Sequence, residues 1–181
     1  MAVYMMSADW LKENSTLDLN IDDKTLKMAI LEAQEIHIRE AIGSGVYDEL
    51  ITQISGSSLT SANQTLMNNY IRPALKYWAI VESIAVNVMK MVNKGIGKRS
   101  GDNFTPADTG DITMLENRMR DKAEYYTNRL RDYLHENSST YPLFLSPGSG
   151  IDTIHPKGVQ TFGGFYLGGG DCEPYGYDGM Q

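Results

Sequence analysis

The sequence predicts an all-α fold: a small bundle with two long antiparallel helices, a Gly-rich loop between them and an extended C-terminal arm. Three observations predict it. An apolar heptad runs from residue 67 to residue 91. A second amphipathic pattern follows at 111–137, after a polar, glycine-rich connection. Beyond Pro142 the periodicity stops, and glycine, proline and aromatic residues take over.

The heptad is the strongest signal. Met67, Ala74, Val81 and Val88 form one row, and Tyr70, Tyr77, Ile84 and Met91 form the other. Alternating steps of three and four residues put both rows on one helical face. A third row, Ile71, Trp78, Ala85 and Val92, widens that face and leaves only a narrow polar stripe. So broad a face needs cover on most sides, and few other apolar segments can supply it. Part of the cover is therefore expected from another copy of the chain, with Tyr77, Trp78, Val81, Ile84 and Val88 as the subunit packing seam.

The remaining elements follow in order. Ser7 can cap a short helix to Asn14 that buries Trp10 and Leu11. Asp22 or Asp23 starts a helix to about Ile42, with Leu26, Ile30, Leu31, Ala33, Ile38, Ala41 and Ile42 inward. Gly43-Ser44-Gly45 is expected to end it. A short helix, 46–54, comes next, and Gly56-Ser57-Ser58 breaks it. Ser61 is the expected cap of the long helix 61–93. Pro73 lies inside that helix, so a kink is expected near Asn69–Arg72. Residues 94–110 are too glycine-rich and polar for regular structure of their own. The last helix, 111–137, buries Ile112, Leu115, Met119, Ala123, Tyr126, Leu130 and Tyr133, and Glu116 and Arg120 on its outer face are ordered for an i,i+4 ion pair. Two units result: a helical domain, 1–141, and an arm, 142–181.

The arm holds ten of the seventeen glycines and four of the six prolines, too many for a core of its own. It also carries Phe144, Phe162, Phe165, Tyr166, Tyr175 and Tyr177, which are costly to leave in water together. It reads as an arm that lies on another surface, that of its own body or of a neighbour.

Composition narrows the function. A formal charge of −7 argues against a protein built to grip nucleic-acid phosphates. It remains compatible with a surface that lets DNA pass. The single cysteine, Cys172, excludes an intrachain disulfide framework and a multi-cysteine metal site. The first residues lack the layout of a signal peptide, and no apolar run reaches membrane-spanning length, so a soluble protein made in the cytosol, with no membrane partner, is expected.

No catalytic constellation emerges, and neither enzyme activity nor a cofactor or metal is expected. His37, His135 and His155 are the only histidines, and His37 reads as a satisfied core residue. Asp132 and His135 stand one turn apart, as do Glu32 and Glu35, but the Glu-x-x-His pairs of a di-iron bundle are missing. HExxH, P-loop and GxSxG motifs are also missing. The glycine pairs and triplets of 163–170 do not open a helix after a strand, so they are no nucleotide fingerprint. Lys94, Lys98 and Arg99, with Asp102 beside them, form the one compact basic cluster on a loop.

The order of parts carries a resemblance. An acidic cap leads into ILEAQEIHIREAIGSGVYDEL; a long helix holds YIRPALKYWAIVES; then come NKGIGKRSGDN, an amphipathic helix and a tail. Over residues 23–140 this resembles the head–tail connector (adaptor, or head-completion) proteins of tailed bacteriophages, close to the ring proteins of crAss-like phages. The resemblance implies a helical virion subunit that assembles as a ring, generally of twelve, between the portal protein and the tail or the next ring protein. DNA would pass through without sequence-specific binding. It also implies that Lys94, Lys98, Arg99 and Asp102 face the channel or a neighbour, and that the arm reaches the portal or an adjacent subunit. The alternative from a different class is a small helical binding or chaperone-like module that captures one protein partner with its aromatic tail.

Overall fold

The computed structural model describes residues 2–92, 95–98 and 109–156, and it is predominantly helical. Helix α1 (Ala8–Glu13) starts where Ser7 Oγ accepts the Trp10 N–H. Helix α2 (Asp23–Ala33) starts at Asp22, whose carboxylate accepts the Lys24 N–H. A π-turn, Gln34–Ile38, then leads without interruption into α3 (Arg39–Ser55). Helix α4 (Ser61–Leu66), a second π-turn (Met67–Ile71) and α5 (Arg72–Val88) form another continuous helical stretch. Strands β1 (Met89–Val92) and β2 (Gly95–Lys98) follow as an antiparallel pair, then α6 (Thr109–Glu136) and the short α7 (Pro142–Leu145).

Both π-turns have a visible use. The second falls just before Pro73, which has no N–H to donate to the preceding turn; Arg72 N–H reaches back five residues to Met67 O, and the helix runs on past the proline. The continuous helix expected across Pro73 is present, with the π-turn at the place where a kink is expected. The first π-turn turns Gln34 into the core, fully buried. Gln34 Oε1 accepts from Met5 N–H at 2.9 Å, and its Nε2 donates to Val3 O at 3.1 Å and to Tyr47 Oη at 2.8 Å. Tyr47 donates in turn to Glu35 Oε1 at 2.7 Å. One buried amide thus ties the N-terminal segment, with its buried Met5 and Met6, to α2 and α3.

The core forms where α2, α3, α5 and α6 meet. Leu26, Ile30, Ile38, Ile42, Leu50, Ile71, Leu75 and Leu130 are among its fully buried side chains. The second π-turn and α5 lie against α6 through stacked rings: Tyr70 on Tyr133 at 3.9 Å and Tyr77 on Tyr126 at 5.4 Å. The two pairs run in opposite sequence order along the helices. Arg129 lies over the Tyr70 ring, and Lys76 and Lys122 over the Tyr77 ring.

The break expected after Ile42 is present at Gly43, which leaves helical geometry (φ 77°), and the following helix already includes Ser44 and Gly45. Five expectations are corrected. The cap of the long helix is Thr60, whose hydroxyl accepts the Asn63 N–H, and not Ser61. That helix ends at Val88 and not at 93. Met89–Val92 instead pair with Gly95–Lys98, so part of the supposed irregular loop is a strand; two glycines disfavour helix there, and the ladder supplies the backbone partners. The body does not close before Pro142: Tyr141 is buried, Phe144 is buried to 1% exposure, and residues as far as Pro156 lie on α3. Lastly, Trp78 and Val81, expected in the subunit packing seam, are buried in the core of the subunit itself.

Candidate functional site

A polar cleft lies where the first π-turn, α5 and α6 converge. His37, Glu40, Trp78, Glu124, Thr127, Asn128 and Arg131 line a cavity of about 280 Å³. The π-turn sets the His37 ring flat on Trp78, 3.7 Å between centroids and 6° between planes. His37 Nε2 meets Glu82 Oε1 at 2.8 Å. Trp78 Nε1–H donates to Thr127 Oγ1 at 2.9 Å, and the Thr127 hydroxyl donates to Ala123 O at 2.8 Å. The indole donor and the hydroxyl are therefore both satisfied inside the helix pair.

Arg131 closes the cleft. Burial lowers the pKa of its guanidinium, and the nearby Glu40 carboxylate opposes that shift. Its Nε is buried without a hydrogen-bond partner among the described residues. The cleft mixes the carboxylates of Glu40, Glu82 and Glu124 with one guanidinium and one imidazole, and no hydroxyl stands free to act as a nucleophile. Its chemistry is that of a polar pin through three elements. Among the described residues no group of three His, Cys, Asp or Glu side chains could hold a metal ion.

A second constellation was not anticipated. Gly43, Ser44 and Gly45 form a saddle on α3 for the segment after α7. A Cβ on Gly43 would stand 2.8 Å from Pro156 Cδ, and one on Gly45 would stand 2.7 Å from Pro147 Cα. Ser44 N–H donates to Ile154 O at 2.9 Å, and Ile154 N–H donates to Ser44 Oγ at 2.8 Å. The break at Gly43 takes Ser44 out of the preceding helix's hydrogen-bond ladder, and the returning chain accepts its N–H instead. The signals in sequence were the two closely spaced glycines and the apolar run Tyr141–Leu145, which is too apolar for a free arm.

The residues singled out from sequence are scattered. Trp78 and Val81 are buried; Tyr77 and Ile84 are half-buried, and Tyr77 stacks on Tyr126. Val88 is the last residue of α5, and its side chain is outside the described part. Lys98 ends β2, whereas Lys94, Arg99 and Asp102 lie outside the described residues. Of the arm aromatics, Phe144 belongs to the body's core, with its ring edge-on to His135 at 4.9 Å. Phe162, Phe165, Tyr166, Tyr175 and Tyr177 lie outside the described residues.

Residues 38–154 match a family described as a family of unknown function, DUF6712. The chain belongs to this family. The DUF6712 stretch begins at the end of the first π-turn and ends at Ile154, the residue paired with Ser44. It therefore takes in the polar cleft apart from His37, the saddle apart from Pro156, and all of α7. Neither the curated proteins nor the solved structures include a match to the chain. Among the described residues no helix is long and apolar enough to cross a membrane.

Proposed function

We propose that this DUF6712 protein is a structural subunit of an oligomeric ring, generally of twelve, that joins a phage portal to the tail and extends the DNA channel. In this reading the subunit presents two long antiparallel helices, α5 and α6, joined by a connection that carries the basic cluster. The resemblance to phage connectors supplies the ring, the portal and the virion. One structural observation supports it most: the body closes its core around Phe144, and the segment after α7 then delivers the chain to Pro156, against Gly43 of α3. Past that point the sequence still brings Phe162, Phe165, Tyr166, Tyr175 and Tyr177. Aromatics in that number favour a docking surface on another subunit or on the portal. Residues 157–181 span up to about 85 Å when fully extended, enough to cross a neighbouring subunit.

The acidic balance fits a channel wall that repels DNA and lets it slide. The test is the mass of the purified chain, alone and mixed with portal, followed by electron microscopy of the mixture. A closed ring on the portal is the expected result. A chain that stays monomeric with portal and captures some other single protein through its tail would replace this reading with that of a binding module.

A further inference from the structure

Residues 142–156 hold to the body in two places of unequal strength. The first hold is deep. Phe144 is buried, Tyr141 Oη donates to Ala62 O at 2.8 Å, and Pro147 packs on Gly45. The second is shallow and consists of the Ser44–Ile154 pair, a longer Ser44 Oγ contact to Asp152 O at 3.4 Å, and Pro156 against Gly43. Between them residues 148–152 are all exposed. Gly148 has φ +104° with nothing within 4 Å of where a Cβ would sit, and Ile151 is fully in solvent at 104% exposure. So exposed a tether does not transmit the stability of the first hold to the second. The two therefore open independently, the shallow one more often.

We propose that this segment is a two-stage strap, fixed at Phe144 and clipped at Ser44, and that opening the clip alone lengthens the arm that follows. The inference rests on the arm-docking reading above for its purpose, but not for its mechanics. Release of residues 148–156 moves the start of the arm from Pro156 back to Pro147 and adds up to about 30 Å of reach. The clip suits such release. Its bonds join the Ser44 N–H and hydroxyl to main-chain groups of Asp152 and Ile154, all of which water can satisfy once they part. No buried charge and no core side chain is exposed by opening it.

Hydrogen–deuterium exchange on the full chain tests this. Ser44→Ala removes the acceptor of Ile154 N–H without adding bulk. Peptides covering 152–156, and the Ser44 amide that they hold, should exchange about fivefold faster than in wild type, the effect of one lost net hydrogen bond, while peptides covering 141–145 and the part of α3 beyond Ser44 keep their rates. Gly45→Ala, which drives a Cβ into Pro147, acts on the deep hold and should speed exchange across 141–147. The proposal is overturned if 152–156 is already unprotected in wild type. It is equally overturned if Ser44→Ala leaves those rates unchanged, or if 141–145 opens together with 152–156. Ring formation is not read in this experiment, so failure of the clip and failure of the ring reading are separate results.

Discussion

Phe144→Ala tests where the body ends. The ring is 1% exposed, belongs to the main core and packs edge-on to His135 at 4.9 Å. Truncating a buried Phe to Ala costs about 3–5 kcal/mol, from lost transfer energy plus the cavity left behind. A domain of this size is stable by about 5–15 kcal/mol in all, so the loss is a large share of the total. At about 2–4 °C per kcal/mol, the midpoint should fall by roughly 6–20 °C. Leu145→Ala is the internal control: one residue along, 60% exposed, it should move stability by no more than about 0.5 kcal/mol. Urea unfolding of the full chain followed by circular dichroism gives both values at constant slope. A loss below about 1 kcal/mol for Phe144→Ala would show that α7 is not part of the core, and would return the boundary to Pro142.

Three further outcomes are expected. Removing 157–181 should leave the unfolding midpoint within about 1 kcal/mol of wild type and abolish ring or portal association, whereas removing 142–181 should also destabilise the body by at least the Phe144→Ala loss; equal midpoints for the two truncations would contradict the core described here. Trp78→Phe and Thr127→Val should each cost about 1–2 kcal/mol, and the double variant less than their sum because they share the 2.9 Å hydrogen bond; strict additivity would remove that bond from the account. Lys12 holds the Asp23 carboxyl below its ordinary pKa of 3.8; a folded pKa below the unfolded one gives stability present above about pH 4 and lost as the pH falls through the folded value, so acid unfolding of Asp23→Asn should lack that part of the slope, and superimposable acid limbs would count against the pair.

Most helices were legible because periodicity and caps are local. Ser7 and Asp22 act as the caps their residue types suggest, and Glu116 and Arg120 form their i,i+4 pair at 2.7 Å. The π-turns carry no residue signature beyond Pro73, since a backbone bond to i−5 does not depend on a side chain. The end of α5 was illegible because Met91 and Val92 continue the heptad in phase while pairing as a strand. The cleft was half legible. His37 reads as a satisfied inward residue, but its partners Trp78 and Glu82 come from another helix, and the Thr127 that holds Trp78 comes from a third. Two residues of the expected subunit seam were illegible for a similar reason: an apolar face does not say whose side chains cover it, and Trp78 and Val81 are covered by their own chain.

The saddle shows how one residue couples two features that look separate in the sequence. Gly43 takes a φ of 77°, which a side chain rarely tolerates, and its Cβ position is filled by Pro156. The same break leaves Ser44 N–H without a partner in the preceding turn, and Ile154 O accepts it. The kink in α3 thus creates the donor that the strap satisfies, and the strap in turn covers the glycine that makes the kink. A side chain at residue 43 acts on both at once, through backbone strain and through the clash with Pro156. For that reason Gly43→Ala cannot separate a bent helix from a seated strap, whereas Ser44→Ala leaves the kink in place and weakens the strap alone. If both variants loosened residues 152–156 but only Gly43→Ala also disturbed α3, kink and clip would be distinct contributions joined at one residue, and the point from which the arm departs would be set by the clip.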